Sequence, residues 1–294
     1  MEENNMGAIK DMRFDGNREL SLNEMKSDYT GGYKSKEEAE PKLRENISSM
    51  IEEQQKLFAD GRYAMLFIFQ AMDAAGKDGA ISHVMSGLNP QGTQVFSFKQ
   101  PSALEMSHDY LWRVNRNLPE KGKIGIFNRS YYEEVLVVRV HNLIEYEKIP
   151  EKFTDDIWDR RYRQINDYER YLYENGIIPV KFFLHVSKDE QKKRLLKRID
   201  DKSKNWKFSE ADIKERQYWD KYQECYEETI NKTGSKHAPW YVIPSDEKWY
   251  ARLLISTIIL TTLKSLDLHY PQLDASQEAV LAKYRKLLEG EGNI

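Results

Sequence analysis

The chain has little cysteine, no excess of positive charge and no long apolar run, and each shortage removes a class of protein. A single cysteine, Cys225, excludes an internal disulfide and leaves no ligand set for a structural zinc. That usage fits a reducing compartment. The first residues, Met1 to Lys10, are polar and acidic with no apolar signal core, so a soluble, cytoplasmic protein is expected. The formal net charge is −3, so no global positive field gathers a polyanion, and any such partner needs locally concentrated basic residues. The longest apolar stretch, Leu253 to Leu263, is interrupted by Ser256, Thr257, Thr261 and Thr262; it is too short to span a bilayer and reads as a buried helix. His83, His108 and His141 lack metal-ligand spacing and read as core or surface histidines. Tyr, Trp and Arg are plentiful, but no nucleic-acid-binding motif accompanies them. Neither nucleic acid nor membrane is expected as a partner.

What is present suits a phosphate-handling α/β protein. The 294 residues, 40% hydrophobic and 32% charged, can bury one large core or two small ones. Residues 1–35 are weakly patterned and are expected as a polar N-terminal arm or loosely packed extension. From Ser35 to Asp60 the spacing of Leu43, Ile47, Met50, Ile51 and Leu57 predicts a helix, ended by Gly61. The period then changes. Ala64 to Phe69 is a continuous apolar run, as expected for a strand buried on both faces. Similar runs recur at 93–98, 123–127, 180–186 and 240–243. Helical stretches separate them, at 81–87, 104–117, 154–174, 188–199 and 212–230. Alternating strands and helices predict a three-layer α/β/α domain around a parallel sheet of about five strands. The Arg- and Tyr-rich stretch 154–174 reads as an amphipathic helix with snorkelling arginines, or alternatively as part of a polyanion groove.

Three blocks carry chemistry. The first follows the first strand: Gln70-Ala-Met-Asp-Ala-Ala-Gly76-Lys77-Asp78-Gly79. A buried strand running through small residues and Gly-Lys into a helix is P-loop architecture. Small residues let backbone N–H groups approach phosphate oxygens, the helix presents its positive end, and Lys77 adds a cation. Ala74, Ala75, Gly76, Lys77, Asp78 and Gly79 are the candidate phosphate cradle. The motif departs from the common form: Ala71 stands for the first Gly, and Asp78 for the metal-ligating Ser or Thr. Asp78 and Asp73 are therefore candidate metal ligands. An ordinary turn with a solvated lysine is the plain alternative.

The second block is Ile124-Gly-Ile-Phe-Asn128-Arg129-Ser130-Tyr-Tyr-Glu133-Glu134. Strand ends line the ligand crevice of open α/β sheets, so this is the Walker B candidate. Asn128 occupies the place of the usual Asp, Glu133 is the candidate replacement carboxylate, and Arg129 is expected to face phosphate. Alternatively, Ser130 and Glu133 form a capping box.

The third block, residues 192–207, has eight basic residues against two acids, a local net of +6. It is expected to lie within a lid at about 192–215 whose Arg194 and Arg198 close over the transferring phosphate, or else to be a solvated basic face. Asn128, Lys204, Trp206 and Lys207 are the candidate nucleotide contacts, Trp206 by stacking on a base or else by packing the lid. The catalytic candidates are Asp73, Lys77, Arg129, Arg194 and Arg198, within a domain spanning 36–270 and followed by a helical tail at 271–294.

Together with His83-Val-Met-Ser-Gly-Leu-Asn-Pro-Gln-Gly92, Ser97-Phe-Lys-Gln-Pro-Ser102, His108-Asp-Tyr-Leu-Trp-Arg113, Asn205-Trp-Lys-Phe-Ser209 and Ala238-Pro-Trp-Tyr-Val-Ile-Pro244, these blocks resemble the polyphosphate kinase 2 family from about residue 30 to 270. Asn128, where much of that family has Asp, is similar to the subgroup called class III, associated with both nucleoside mono- and diphosphates. The resemblance implies a P-loop kinase core with a helical lid and a polyphosphate groove. It also implies Mg²⁺, with Mn²⁺ as a substitute, and a homo-oligomer, dimer or tetramer. The expected reaction is in-line transfer from inorganic polyphosphate to AMP or ADP. An ATP-using kinase of the thymidylate-kinase kind is the runner-up, though its loop would usually keep the Ser or Thr that Asp78 replaces. A P-loop regulatory module is third, without the Asn-Lys-x-Asp motif it would be expected to carry.

Overall fold

The structure is a computed structural model that describes residues 2–290, with side chains from residue 7 onward. The chain opens with helix α1 (Glu2–Met12) and strand β1 (Arg13–Phe14), then α2 (Lys36–Asp60). The Ser35 side chain caps α2, and Gly61, at φ 65°, ends it in the left-handed region that glycine enters without a Cβ clash. The α/β alternation follows: β2 (Ala64–Ala71), α3 (Lys77–Val84), β3 (Thr93–Ser97), the short α4 (Ala103–Met106) and α5 (Trp112–Asn115), then β4 (Ile124–Asn128). Next come α6 (Val137–Val140), α7 (Ile157–Glu174), β5 (Ile177–His185), α8 (Lys188–Asp200), α9 (Glu210–Glu215), α10 (Trp219–Thr233), β6 (Trp240–Pro244), α11 (Lys248–Lys264) and α12 (Ala275–Gly290).

The strands form one sheet in the order β1-β6-β5-β2-β4-β3. Five run parallel, and β1 adds a two-residue antiparallel edge against β6. The central strand β2 is buried along its whole length, which is why its sequence is unbroken apolar rather than alternating. It pairs with β4 on one side and β5 on the other. After β2 and β3 the chain builds one flank; after β4 it crosses to the other. The loops after β2 and β4 therefore open side by side where the winding reverses, the position at which such sheets bind ligands.

Some expected boundaries shift. The stretch 104–117 is two short helices separated by a turn, and 212–230 breaks at Arg216–Tyr218, which forms a 3-10 turn. The N-terminal segment, expected as an arm or loose extension, is packed. Ile9, Met12, Phe14, Leu20 and Leu22 are buried. The Leu20 and Leu22 amides donate to Asn231 Oδ1 and Glu227 Oε2 of α10, both at 2.7 Å. Its apolar residues are too sparse to show a period, yet Ile9, Met12, Phe14, Leu20 and Leu22 join the main core. Among the described residues no helix is long and apolar enough to cross a membrane.

Candidate active site

Between β2 and α3 the backbone turns through two left-handed residues, Ala74 at φ 59° and Gly76 at φ 108°. Gly76 N-caps α3, and no side chain caps the helix's first N–H groups, so they remain directed at whatever enters the loop. The carbonyls are turned the other way, onto α8. Gln191 Nε2 donates to the Asp73 carbonyl at 2.9 Å, and Arg194 Nη1 to those of Ala74 and Ala75 at 3.2 and 2.6 Å. Arg194 Nη2 donates to the carbonyls of Ser245 and Asp246, and Nε to Glu190 at 2.8 Å. All five guanidinium donors are thereby used. The expectation that Arg194 closes over the transferring phosphate is corrected on this geometry: it braces the loop from beneath.

The expected loop and strand residues do converge. Lys77 Nζ donates to the Ala71 carbonyl at 3.1 Å, and burial followed by the Arg129 charge holds its ammonium below the usual lysine range. Arg129, at φ 65°, follows β4 and reaches Asp73 Oδ1 at 3.1 Å. Asn128, the expected nucleotide contact at the end of β4, donates through Nδ2 to Asp78 Oδ1 at 2.7 Å. Glu133 Oε1 accepts from Gln70 Nε2 at 3.2 Å. Burial pushes the Glu133 carboxyl above its ordinary range, although Arg129 and Lys77 pull it down. Ser130 caps the turn through the Tyr132 amide, one position short of Glu133, and the Glu133 side chain turns to Gln70; Ser130 is a cap, but the reciprocal capping box is not formed.

No three metal-ligating side chains of His, Cys, Asp or Glu cluster among the described residues. Gln70 Oε1, buried beside Glu133, has no hydrogen-bond partner, and an acceptor so placed fits a water of a hydrated cation.

The third block divides. Arg198 Nη1 pairs with Asp212 Oδ2 at 2.5 Å and donates to the Lys207 carbonyl at 3.3 Å, fastening α8 to α9. Lys204 pairs with Asp201, and Lys207 Nζ lies 4.8 Å over the ring of Trp206, which is 78% exposed. The three expected nucleotide contacts in this block, Lys204, Trp206 and Lys207, thus engage one another's neighbourhood on the surface. On α9, burial and then the charge of Asp73 raise the Asp212 carboxyl. The far end of α9 is held by Glu215, which meets His141 Nε2 at 2.9 Å and Tyr222 Oη at 2.8 Å.

Sequence reasoning missed the support of the second block. Tyr131 Oη and Tyr132 Oη donate to Glu169 Oε1 at 2.7 and 2.8 Å, and Lys181 Nζ meets Glu169 Oε2 at 2.5 Å. Lys181 also donates to the Tyr132 hydroxyl and the Thr233 carbonyl. The available signal was a lysine inside an apolar strand run. On α7, Arg161 is buried between Glu134 and Glu147 instead of snorkelling or lining a groove.

A polyphosphate kinase 2 family model matches residues 33–271. The chain is 53% identical over 259 residues to an ADP-polyphosphate phosphotransferase of Rhodopseudomonas palustris, covering 87% of this chain and 90% of that protein. It is 44% identical over 255 residues to an AMP/ADP-polyphosphate phosphotransferase of Meiothermus ruber, covering 87% and 91%. The crystal structure of polyphosphate kinase 2 from Arthrobacter aurescens superposes with a TM-score of 0.84 at 40% identity, covering 93% of this chain and 96% of that one.

Proposed function

This chain belongs to the polyphosphate kinase 2 family, and we propose that it moves the terminal phosphoryl group of inorganic polyphosphate reversibly onto AMP or ADP, giving ADP or ATP. One observation carries the reading: the uncapped start of α3, Lys77 and Arg129 meet at the adjoining ends of β2 and β4.

The acceptor is a phosphate oxygen already ionised at neutral pH, so no strong general base is required. The task is to hold two anions together in line. Loop N–H groups and Lys77 bind the donor phosphate. Arg129, aimed by Asp73, neutralises the acceptor side. Mg²⁺ is the proposed cofactor, with Mn²⁺ as a substitute, and when bound it supplies further neutralisation of phosphate charge. Asp73 and Glu133 would hold it, Gln70 would orient one of its waters, and Asp78, kept in place by Asn128, would act through another. Arg198 reaches the site by exchanging Asp212 for phosphate, which makes α8–α9 the moving cover. Lys204, Trp206 and Lys207 would then turn inward to the nucleotide.

A homo-oligomer, dimer or tetramer, is also proposed. What supports it is α12, which leaves Val280, Leu281, Tyr284, Leu287 and Leu288 exposed. Light scattering after size exclusion tests this part.

The reaction is tested by supplying ADP and Mg²⁺ with either polyphosphate or another nucleoside triphosphate. ATP formed with polyphosphate supports the proposal; ATP formed only with the triphosphate overturns it.

A further inference from the structure

Tyr226 of α10 is only 3% exposed and has no role in the mechanism above. Its place follows from the sheet. Gln70 of β2 and Phe183 of β5 are register partners in a parallel pair, so their side chains leave the sheet on one face. Lys181, two residues before Phe183 and so on the same face, reaches Glu169 of α7. That face is therefore the one covered by α7 and α10, which pack on each other. The Tyr226 ring stacks on Phe183, with 4.3 Å between centroids and 28° between planes. Gln70, beside Phe183, carries the bond to Glu133. Tyr226 thus stands over the ends of β2 and β5 on the side from which Glu133 enters the site.

Its hydroxyl makes no hydrogen bond among the described residues. Tyr250 Oη is the one hydroxyl among them that is both unpartnered and sealed from solvent. The Tyr226 hydroxyl, unpartnered but not sealed, opens to the cleft, while the stack on Phe183 fixes the ring that carries it. Burial first, and then the Glu133 charge, raise this hydroxyl well above the ordinary tyrosine range, with Arg129 pulling the other way. Tyr226 therefore keeps its proton at neutral pH and is a donor.

The loop amides belong to α3, which packs on α11 on the other flank of the sheet. In the proposed reaction they and Lys77 take the donor phosphate. A hydroxyl on the α10 flank faces the other anion, the one assigned to Arg129. Cations already serve that phosphate; a neutral, rigidly held O–H adds direction without adding charge.

We propose that Tyr226 is a further catalytic residue, whose hydroxyl donates a hydrogen bond to the terminal phosphate of the acceptor nucleotide beside Arg129. The assignment rests on the transfer from polyphosphate to AMP or ADP proposed above. The proton stays on the tyrosine throughout, and the contact orients the attacking phosphate.

The test uses Tyr226→Phe, which keeps the ring and its stack on Phe183 and removes only the hydroxyl. With Tm unchanged, kcat/KM for ADP falls about 10- to 100-fold, as for one lost hydrogen bond to a charged group, and KM for polyphosphate stays the same. Calorimetric titration without turnover gives a second readout: affinity for ADP falls about tenfold and affinity for polyphosphate alone does not change. Normal kcat/KM and ADP affinity in the variant overturn the assignment, as does an equal loss of affinity for polyphosphate, which would put the hydroxyl on the donor. A lower Tm with unaltered kinetics also overturns it and makes Tyr226 a packing residue. Wild-type protein that binds ADP but forms no ATP fails the proposed reaction, and the ADP titration of Tyr226→Phe then decides the contact by itself. Wild-type protein that binds no nucleotide overturns both.

Discussion

Arg194 Nη1 lies 2.6 Å from the carbonyl oxygen of Ala75, and this contact sets which way the phosphate loop faces. Helix α8 collects the carbonyls of Asp73, Ala74 and Ala75 through Gln191 and Arg194, and so leaves the amides free on the other side. Arg194→Lys keeps the charge but cannot replace five directed donors. The expected result is faster hydrogen exchange at residues 74–79 in ligand-free protein, together with a lower kcat. Unaltered exchange would show that Arg194 is not the brace.

Lys181 and Glu169 are both fully buried, and their partners tie the 131–134 turn to β5 and α10. Removing one partner strands a buried charge, so Lys181→Met or Glu169→Leu alone is expected to cost about 3–5 kcal/mol. The double replacement should cost clearly less than the two single costs added. Chemical denaturation of all three variants measures this; additive losses would contradict the coupling.

Glu133 links stability to pH. Its carboxyl is raised in the folded protein, chiefly by burial, from the ordinary 4.5. Below 4.5 both folded and unfolded states are protonated there. As pH rises through 4.5 towards the folded value, only the unfolded state ionises, so this stabilising contribution is progressively lost. Glu133→Gln should therefore raise the ligand-free Tm at neutral pH but not near pH 4, and it should reduce the Tm gain produced by Mg²⁺. A lower Tm at neutral pH, with an undiminished Mg²⁺ effect, would assign Glu133 to structure alone. Asp73→Ala should raise the Mg²⁺ concentration needed for half-maximal rate.

The cover formed by α8 and α9 should respond to substrate. Amides at 201–209 are expected to gain protection when polyphosphate and nucleotide are both present. Arg198→Lys should slow turnover strongly, whereas Lys193→Ala, on the exposed face of α8, should change it little. Equal protection in both states and normal turnover of Arg198→Lys would make the segment ordinary surface.

The parts legible in the sequence are those written in local pattern. The apolar run Ala64–Phe69 leading to Gly76-Lys77 marked β2 and its loop, and Asn128-Arg129 marked the neighbouring strand end, because a buried parallel strand has no polar face. What was not legible depends on contacts far apart in the chain. Arg194 reads as one of several lid cations, and only the fold shows that the loop carbonyls lie above it. Lys181 in a strand run needs Glu169 from another element to make sense. Phe14, Leu20 and Leu22 have no period of their own and are ordered by β6 and α10.

The central claim is that Lys77 and the loop amides bind the phosphate being transferred, and the most direct measurement is the rate of ATP formation from ADP, Mg²⁺ and polyphosphate by Lys77→Ala beside wild type. The account predicts ATP from the wild type and a loss on the order of 10³-fold or more in the variant, as for removal of a preorganised transition-state donor, with a cooperative melt retained. A folded Lys77→Ala protein that forms ATP at close to the wild-type rate would contradict it.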